Sequence, residues 1–342
     1  MSQSEARHAY VTFVMRNDSF IPGALVFAYA LKEQNTVADI ICIVTKDVSE
    51  EGVKALEVLF DYVYKIDAIY VPHKSRQERQ DRPFLFTRFN ALRLGKDGDL
   101  GKGYDKIVLA DADLLPLRDY DKLFDIKAPA GVINEKKAYC MESKAGAYVI
   151  PKSVYENGRW IWHDIYKEIP FGAEIPKTIT DRVIDDHENM GVNAALYLFE
   201  PSMKLFTSIL NDTENEDIRE KIAQFPWPEM QYITMKLSGK WHNMDLIYAS
   251  FNGYPVIDVL NGIHYAGLKP WQLKHRSIMH FAKNEDYRLW YAVFVNMMDA
   301  YETLHDNRRL NRMYATIKMM QSKPEYRFER WTLENLKHLR KQ

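Results

Sequence analysis

Apolar positions in this chain gather into short runs separated by amphipathic stretches. Residues 9–15 (AYVTFVM), 39–45 (DIICIVT) and 62–66 are short and rich in β-branched side chains, the pattern of buried strands. Between them, residues 21–34 open on Pro22 and Gly23 and carry Leu25, Ala28, Tyr29 and Leu31 at helical spacing. Residues 49–60 place Val53, Leu56 and Phe60 on one helical face. Strand, helix, strand, helix, strand in this order predicts an α/β sheet with parallel strands. Further on, 83–94 (PFLFTRFNALRL) reads as a helix, 107–110 (IVLA) as a buried strand, 114–117 as a turn away from it, and 120–124 as a short helix. Residues 129–133 read as a strand and 139–151 as a hairpin. Residues 194–199 read as a strand, followed by a helix from 201–202 through 210. A Pro-rich entry at 225–231 leads into a helix at 232–237, and 258–264 reads as a strand ending on His264. From 284 onward the pattern is helical, and Trp290, Phe294, Met297, Met298, Tyr301 and Leu304 form one stripe read as core packing. The charged stretch 73–82 reads as a solvated surface loop.

Length and composition refine this picture only a little. A chain of 342 residues with 46% hydrophobic residues holds one large domain with an appendage, or two domains. A formal net charge of −1 gives no global pull toward nucleic acid or membrane surfaces, so neither is expected as a partner. Residues 307–342 carry ten Lys and Arg against three Glu, a net of +7, so the rest of the chain carries −8. No window approaches the roughly 18 uninterrupted apolar residues of a membrane-spanning helix. Cys42, inside an apolar run, and Cys140 do not make a disulfide framework, which fits a reducing, cytoplasmic location.

The chemistry concentrates at 104–124 (YDKIVLADADLLPLRDYDKLF). Asp111 and Asp113, at i and i+2 on extended chain, point the same way from the end of a buried strand, where open α/β sheets bind ligands. Two like charges there are costly unless a cation sits between them, and a hard divalent ion suits oxygen ligands. Asp-x-Asp also occurs at Asp97/Asp99, in a Gly- and Lys-rich loop, and at Asp119/Asp121, beside a helix start. Those two pairs read as a solvated turn and a cap. Gly-x-Gly-x-x-Gly after the first strand and Gly-Lys-Ser/Thr are both absent, which excludes the common dinucleotide fingerprint and the P-loop. His264 is a good third ligand beside two carboxylates; Gly267 permits close backbone approach, and Lys269 offers a cation to phosphate. Arg88 could pair with a diphosphate or be a plain surface arginine; Glu229 suits a helix N-terminus; His163 and His187 read as ordinary polar residues.

Taken in order, VTFVMRNDSF, Thr87-Arg88, KIVLADADLLPL with DKLF, NAALYLFEPS, PEMQYIT and HYAGLKPW resemble glycosyltransferase family 8, the glycogenin-like nucleotide-sugar transferases, across about residues 9–271. The resemblance implies a GT-A fold: an α/β, Rossmann-like mixed sheet flanked by helices, in a domain spanning 1–283 with an insertion at about 125–188. A basic helical C-terminal extension follows at 284–342. It implies a retaining hexosyltransferase with a UDP-sugar donor, a glycan or other hydroxyl acceptor, and a divalent metal, Mn²⁺ ahead of Mg²⁺. It admits a homodimer. Asp111, Asp113 and His264 match the metal ligands; Ala112 lies between the two carboxylates and counts with the donor-binding residues. Phe13, Asn17 and Phe20 fall where the family holds uracil and ribose, Arg88 near donor sugar and phosphates, Asn193 facing the sugar, and Gly267 and Lys269 at the diphosphate. Glu229 is the best-placed carboxylate for catalysis, with Gln231, Asn193 and Lys269 beside it.

The chain departs from the family pattern in three places. The interval from Asp113 to Asn193 holds roughly fifty extra residues. Glu229-Met230 stands where the family often has Asp-Gln, so Gln231 would have to supply the amide by a one-residue shift. The self-glycosylated tyrosine of glycogenin is not carried over to Tyr254. Two other readings compete: a sugar-nucleotide pyrophosphorylase, which needs a Gly-rich nucleotide loop that 16–20 lacks, and a nucleotide-sugar-binding protein weakened in catalysis.

Overall fold

The computed structural model describes residues 7–73, 81–134, 142–144, 147–149, 169–252, 257–272 and 278–327. Strands in chain order are β1 (His8–Val14), β2 (Asp39–Thr45), β3 (Tyr62–Ile66), β4 (Lys106–Ala110), β5 (Leu114–Pro116) and β6 (Ala130–Ile133). They continue with β7 (Glu142–Lys144), β8 (Ala147–Val149), β9 (Val192–Phe199), β10 (His242–Asn243), β11 (Ser250–Phe251) and β12 (Gly262–His264). A seven-stranded sheet has the order β10-β6-β9-β4-β1-β2-β3. β1 runs parallel to β4 and β10 to β6, whereas β9 is antiparallel to both β4 and β6. The expected α/β mixed sheet is therefore present. β2 and β3 fall where their apolar runs predict, and in β2 every residue from Ile40 to Thr45 is buried, the signature of a strand covered on both faces.

The chain divides into two compact units built from interleaved segments: Met1–Val11, Tyr64–Ala110 and Lys122–Leu246 form one, and Thr12–Val63, Asp111–Asp121 and Ile247–Gln342 the other. In the first, the wholly buried β9 lies between β4 and β6. Helix Pro228–Lys236 packs against β9, with Pro at its first turn where the missing N–H costs nothing. The stretch 82–94 is a run of 3-10 turns rather than an α-helix; Thr87 Oγ1 accepts from Ile69 N at 2.9 Å within it. The helix expected through 210 spans Met203–Glu214, and the hairpin expected at 139–151 is the antiparallel pair β7 and β8.

The second unit is built on helix α1 (Ile21–Lys32), whose residues from Ile21 to Leu31 are all buried. It packs on β5 and on helix Glu285–Ala300, and helix α2 (Glu50–Glu57) lies beside it. Of the apolar C-terminal stripe, Trp290, Phe294, Met297, Met298 and Leu304 are buried as core, and Tyr301 meets Tyr29 edge to face. Two expectations are corrected here. Residues 114–116 do not turn away but form β5, and only 262–264 of the expected strand 258–264 is extended, 257–259 being a 3-10 turn. The reason is shared: β5 and β12 pair with each other, and Asn261 is taken up outside the ladder, accepting from Leu117 N and donating to Ile247 O. His163, Cys140 and Tyr254 lie outside the described residues. No helix among the described residues is long and apolar enough to cross a membrane.

Candidate functional site

The β5–β12 pairing builds the acidic cluster. Its antiparallel register sets His264 opposite Leu114, the residue after Asp113, and Tyr265 N donates to Asp113 O at 3.0 Å. His264 Nε2 therefore stands 3.3 Å from Asp113 Oδ1, and Lys269 Nζ bonds Asp113 Oδ2. Ligand atoms of Asp111, Asp113 and His264 all lie within 4.8 Å of one another. Asp113 is 5% exposed and His264 7%. Burial pushes the Asp113 carboxyl up, but Lys269 and His264 outweigh it and hold that carboxyl well below the usual range. The donor set suits a divalent cation: two carboxylates and an imidazole converge, and buried Asp113 Oδ1 has no hydrogen-bond donor among the described residues.

Around this cluster the structure adds two features that no sequence signal marks. The Phe251 ring packs on the His264 imidazole, centroids 5.6 Å apart and tilted 34°, because β11 pairs Phe251 with His264. His264 Nδ1 is buried without a hydrogen-bond partner among the described residues, so packing orients this ring where a second-shell acceptor commonly does. Lys269, expected to serve phosphate, also donates to Tyr265 O at 2.6 Å and Ala266 O at 3.2 Å, which roots its ammonium beside Asp113. Gly267 is exposed, and a Cβ there would meet no atom of the described residues within 4 Å. Ala112 is buried, with its carbonyl against α1: a Cβ built on Gly23 would stand 2.3 Å from Ala112 O.

The turn after β1 belongs to the same unit. Arg16 adopts φ of 67°, a left-handed conformation that costs a non-glycine residue roughly 1–2 kcal/mol, and its N–H donates to Thr45 Oγ1 at 2.8 Å. Asn17 is extended and exposed, and its Oδ1 caps the following 3-10 turn through Ser19 N at 2.8 Å. Phe13 is half-buried on β1, and Phe20 meets Trp271 edge to face at 5.7 Å.

Arg88, Asn193, Glu229 and Gln231 belong to the other unit, which brings Arg88 and Glu229 together. Arg88 is not a surface residue: it is 3% exposed, donates from Nη1 to Ala194 O at 3.0 Å, and lies 3.6 Å from Glu229 Oε1. Glu229 is 5% exposed in the first turn of its helix, where the dipole also favours a carboxylate. Asn193 Oδ1 accepts from Ala195 N, while its buried Nδ2 has no partner among the described residues. Gln231 is fully buried and its amide is committed to backbone: Nε2 donates to His187 O and Asn189 O at 2.7 and 2.8 Å, and Oε1 accepts from Trp227 N at 2.8 Å. That side chain holds the 187–189 segment to the helix entry, which leaves its amide no N–H for a sugar.

The other two Asp-x-Asp pairs are structural. Asp99 is paired to Arg93 through two 2.7 Å bonds, and Asp97 accepts from Met203 N at a helix start. Asp121 accepts from Thr36 Oγ1, and Asp119 is left-handed at φ 57°.

Comparison with known proteins agrees with this geometry. The family model described as "Glycosyl transferase family 8" matches residues 11–157. An uncharacterized protein of Acanthamoeba polyphaga mimivirus is 27% identical over 274 residues, covering 77% of this chain and 82% of that protein. A glycogenin of Neurospora crassa is 30% identical over 127 residues, 37% of this chain but 18% of that protein. Galactinol synthase 4 of Arabidopsis thaliana is 23% identical over 281 residues, 79% of this chain and 75% of that protein. With an Asp-Asp-His cluster suited to a divalent cation on the strand end where the Asp-x-Asp motif stands, the chain is similar to glycosyltransferase family 8 over residues 11–157.

Proposed function

We propose that this glycosyltransferase moves a hexose-type sugar from a UDP-sugar to a hydroxyl of a glycan, protein or small molecule, with retention of anomeric configuration. The observation that carries the reading is the convergence of Asp111, Asp113 and His264. These three residues would hold Mn²⁺ or Mg²⁺, which supplies a Lewis acid to the leaving diphosphate. Lys269 sets the charge of Asp113 and stands ready to meet diphosphate oxygens beside the exposed Gly267. Phe13, Asn17 and Phe20 would take the uridine, with an aromatic face for the base. Asn193 Nδ2, buried and unsatisfied, is the natural donor to a sugar hydroxyl, and leaving such a group unmade costs about 1–3 kcal/mol. Glu229, held by Arg88, is the carboxylate proposed to face the oxocarbenium-like centre, whether as nucleophile or as electrostatic partner in front-face attack. Gln231 acts as a positioning residue rather than through its own contact with sugar. The buried free thiol Cys42 suits a reducing compartment such as the cytosol.

A second reading has one observation in its favour. Met230, 4% exposed, carries no amide, and the Gln231 amide beside it is occupied, so the sugar subsite has fewer polar groups than the family pattern. A nucleotide-sugar binder weakened in catalysis would follow. Thermal shift with a panel of nucleotide-sugars, each with and without Mn²⁺, tests both. Metal-dependent stabilisation by one UDP-sugar, followed by its slow hydrolysis without acceptor, supports the transferase. Stabilisation without hydrolysis or transfer supports the binder, and no shift with any UDP compound refutes both.

A further inference from the structure

The turn proposed to take the uridine is held from a part of the chain that lies beyond the expected catalytic domain. Within its own sequence this turn is poorly determined: Arg16 is left-handed, Asn17 is exposed, and the 3-10 segment Asp18–Phe20 is three residues long. Two ties fix one side of it. Arg16 N donates to Thr45 Oγ1, and the Asp18 carboxylate accepts from Ser49 N and Ser49 Oγ at 2.9 and 2.5 Å. The other side, two successive carbonyls, faces helix Arg308–Gln321. Arg309 Nη1 donates to Asp18 O at 2.9 Å and Nη2 to Ser19 O at 3.3 Å.

The root of this arginine is rigid. Asn307 Oδ1 caps Arg309 N and Leu310 N, both at 3.1 Å, and Glu51 Oε1 accepts from Arg308 N. Leu310, the next residue, is fully buried. A planar guanidinium is suited to spanning two carbonyls at once, which an ammonium cannot do in the same geometry. A helix start anchored in the core therefore delivers a two-pronged donor to the backbone between Asn17 and Phe20.

We infer that Arg309 is a positioning residue of the donor site, fixing the Asn17–Phe20 turn for the nucleoside half of the donor, so that the C-terminal helix is part of nucleotide recognition. This rests on the UDP-donor reading above. Arg309 lies on the protein surface, so its replacement leaves the core intact.

The test is calorimetric titration of UDP, and of ADP as the mismatched base, each with Mn²⁺, into wild type, Arg309→Gln, Arg309→Lys and Arg312→Gln. Arg312 is exposed one turn further along the same helix. In Arg309→Gln the Kd for UDP should rise about fivefold while that for ADP stays within about twofold, because only the fitted base depends on the turn. Arg309→Lys should behave like Arg309→Gln, and Arg312→Gln like wild type. A role in stability alone would weaken both nucleotides in proportion. That outcome, an unchanged UDP affinity in Arg309→Gln, or full rescue by Lys would overturn the inference with the donor reading intact. Failure of the wild-type protein to bind UDP would overturn the donor reading and this inference with it.

Discussion

Replacing Asp113 by Asn probes the acidic cluster at its most constrained member. The carboxylate is 5% exposed, with Lys269 on one oxygen and His264 Nε2 3.3 Å from the other. Asn keeps the shape and can still accept from Lys269, but the charge is gone. Removing one partner of a buried ion pair costs about 3–5 kcal/mol. Lys269 keeps Tyr265 O and Ala266 O as acceptors, so the loss should sit at about 3 kcal/mol, or roughly 4 °C in Tm for a chain of this size. A second effect separates ligand from structural roles. At free Mn²⁺ of about 100 times its Kd the wild-type protein should gain about 2.7 kcal/mol, roughly 4 °C, and Asp113→Asn should gain nothing. A double-mutant cycle with Lys269→Met completes the experiment: the double variant should cost at least about 1 kcal/mol less than the two single losses together. Differential scanning calorimetry with and without Mn²⁺ reads all of these. A full Mn²⁺ shift in Asp113→Asn would refute the ligand assignment, and strict additivity would refute the ion pair.

The remaining predictions are as direct. Asp113 titrates lower in the folded than in the unfolded chain, so its contribution is complete above its unfolded value, near pH 4, and is lost as pH falls through the folded one. Wild type should therefore lose more of its urea midpoint than Asp113→Asn between about pH 5 and pH 3. Gln231→Leu removes an amide that serves three backbone groups and should cost about 2–4 kcal/mol in urea denaturation, with Mn²⁺ stabilisation retained. Glu229→Gln should lower kcat by about 10²-fold or more while the Kd for UDP stays within about threefold; a kcat within tenfold of wild type would remove Glu229 from the chemistry.

Much of the sheet was legible because its strands are short and β-branched, and in β2 local pattern and burial agree; β3 was legible from its pattern alone, since only Ile66 of it is buried. The two errors at 114–117 and 258–264 have one cause. β5 is a strand through its pairing with β12 across about 150 residues of sequence, and β12 through β5 and β11 together, and no local window contains the β5–β12 pairing. The acidic pair was legible from its place after β4, and His264 from its motif. Their companions were not. Nothing in the sequence shows that Lys269 leans on Asp113, that Phe251 lies on His264, or that Arg88 is buried against Glu229, because each depends on the register or packing of distant segments. Gln231 was the natural candidate for a missing amide until its three backbone partners were visible.

Gly23 sits where α1 backs onto the segment between the two aspartates. A Cβ there would stand 2.3 Å from Ala112 O and equally close to the Trp271 ring, closer than any real side chain comes to backbone. Helix and acidic loop thus meet with no thickness to spare, and the height at which Asp111 and Asp113 ride is gauged by the backbone of α1. The affinity of a cation held between them would then be adjustable from behind. One added methyl at position 23 would lift the carbonyl between the carboxylates and spread or tilt them, with every ligand left unaltered.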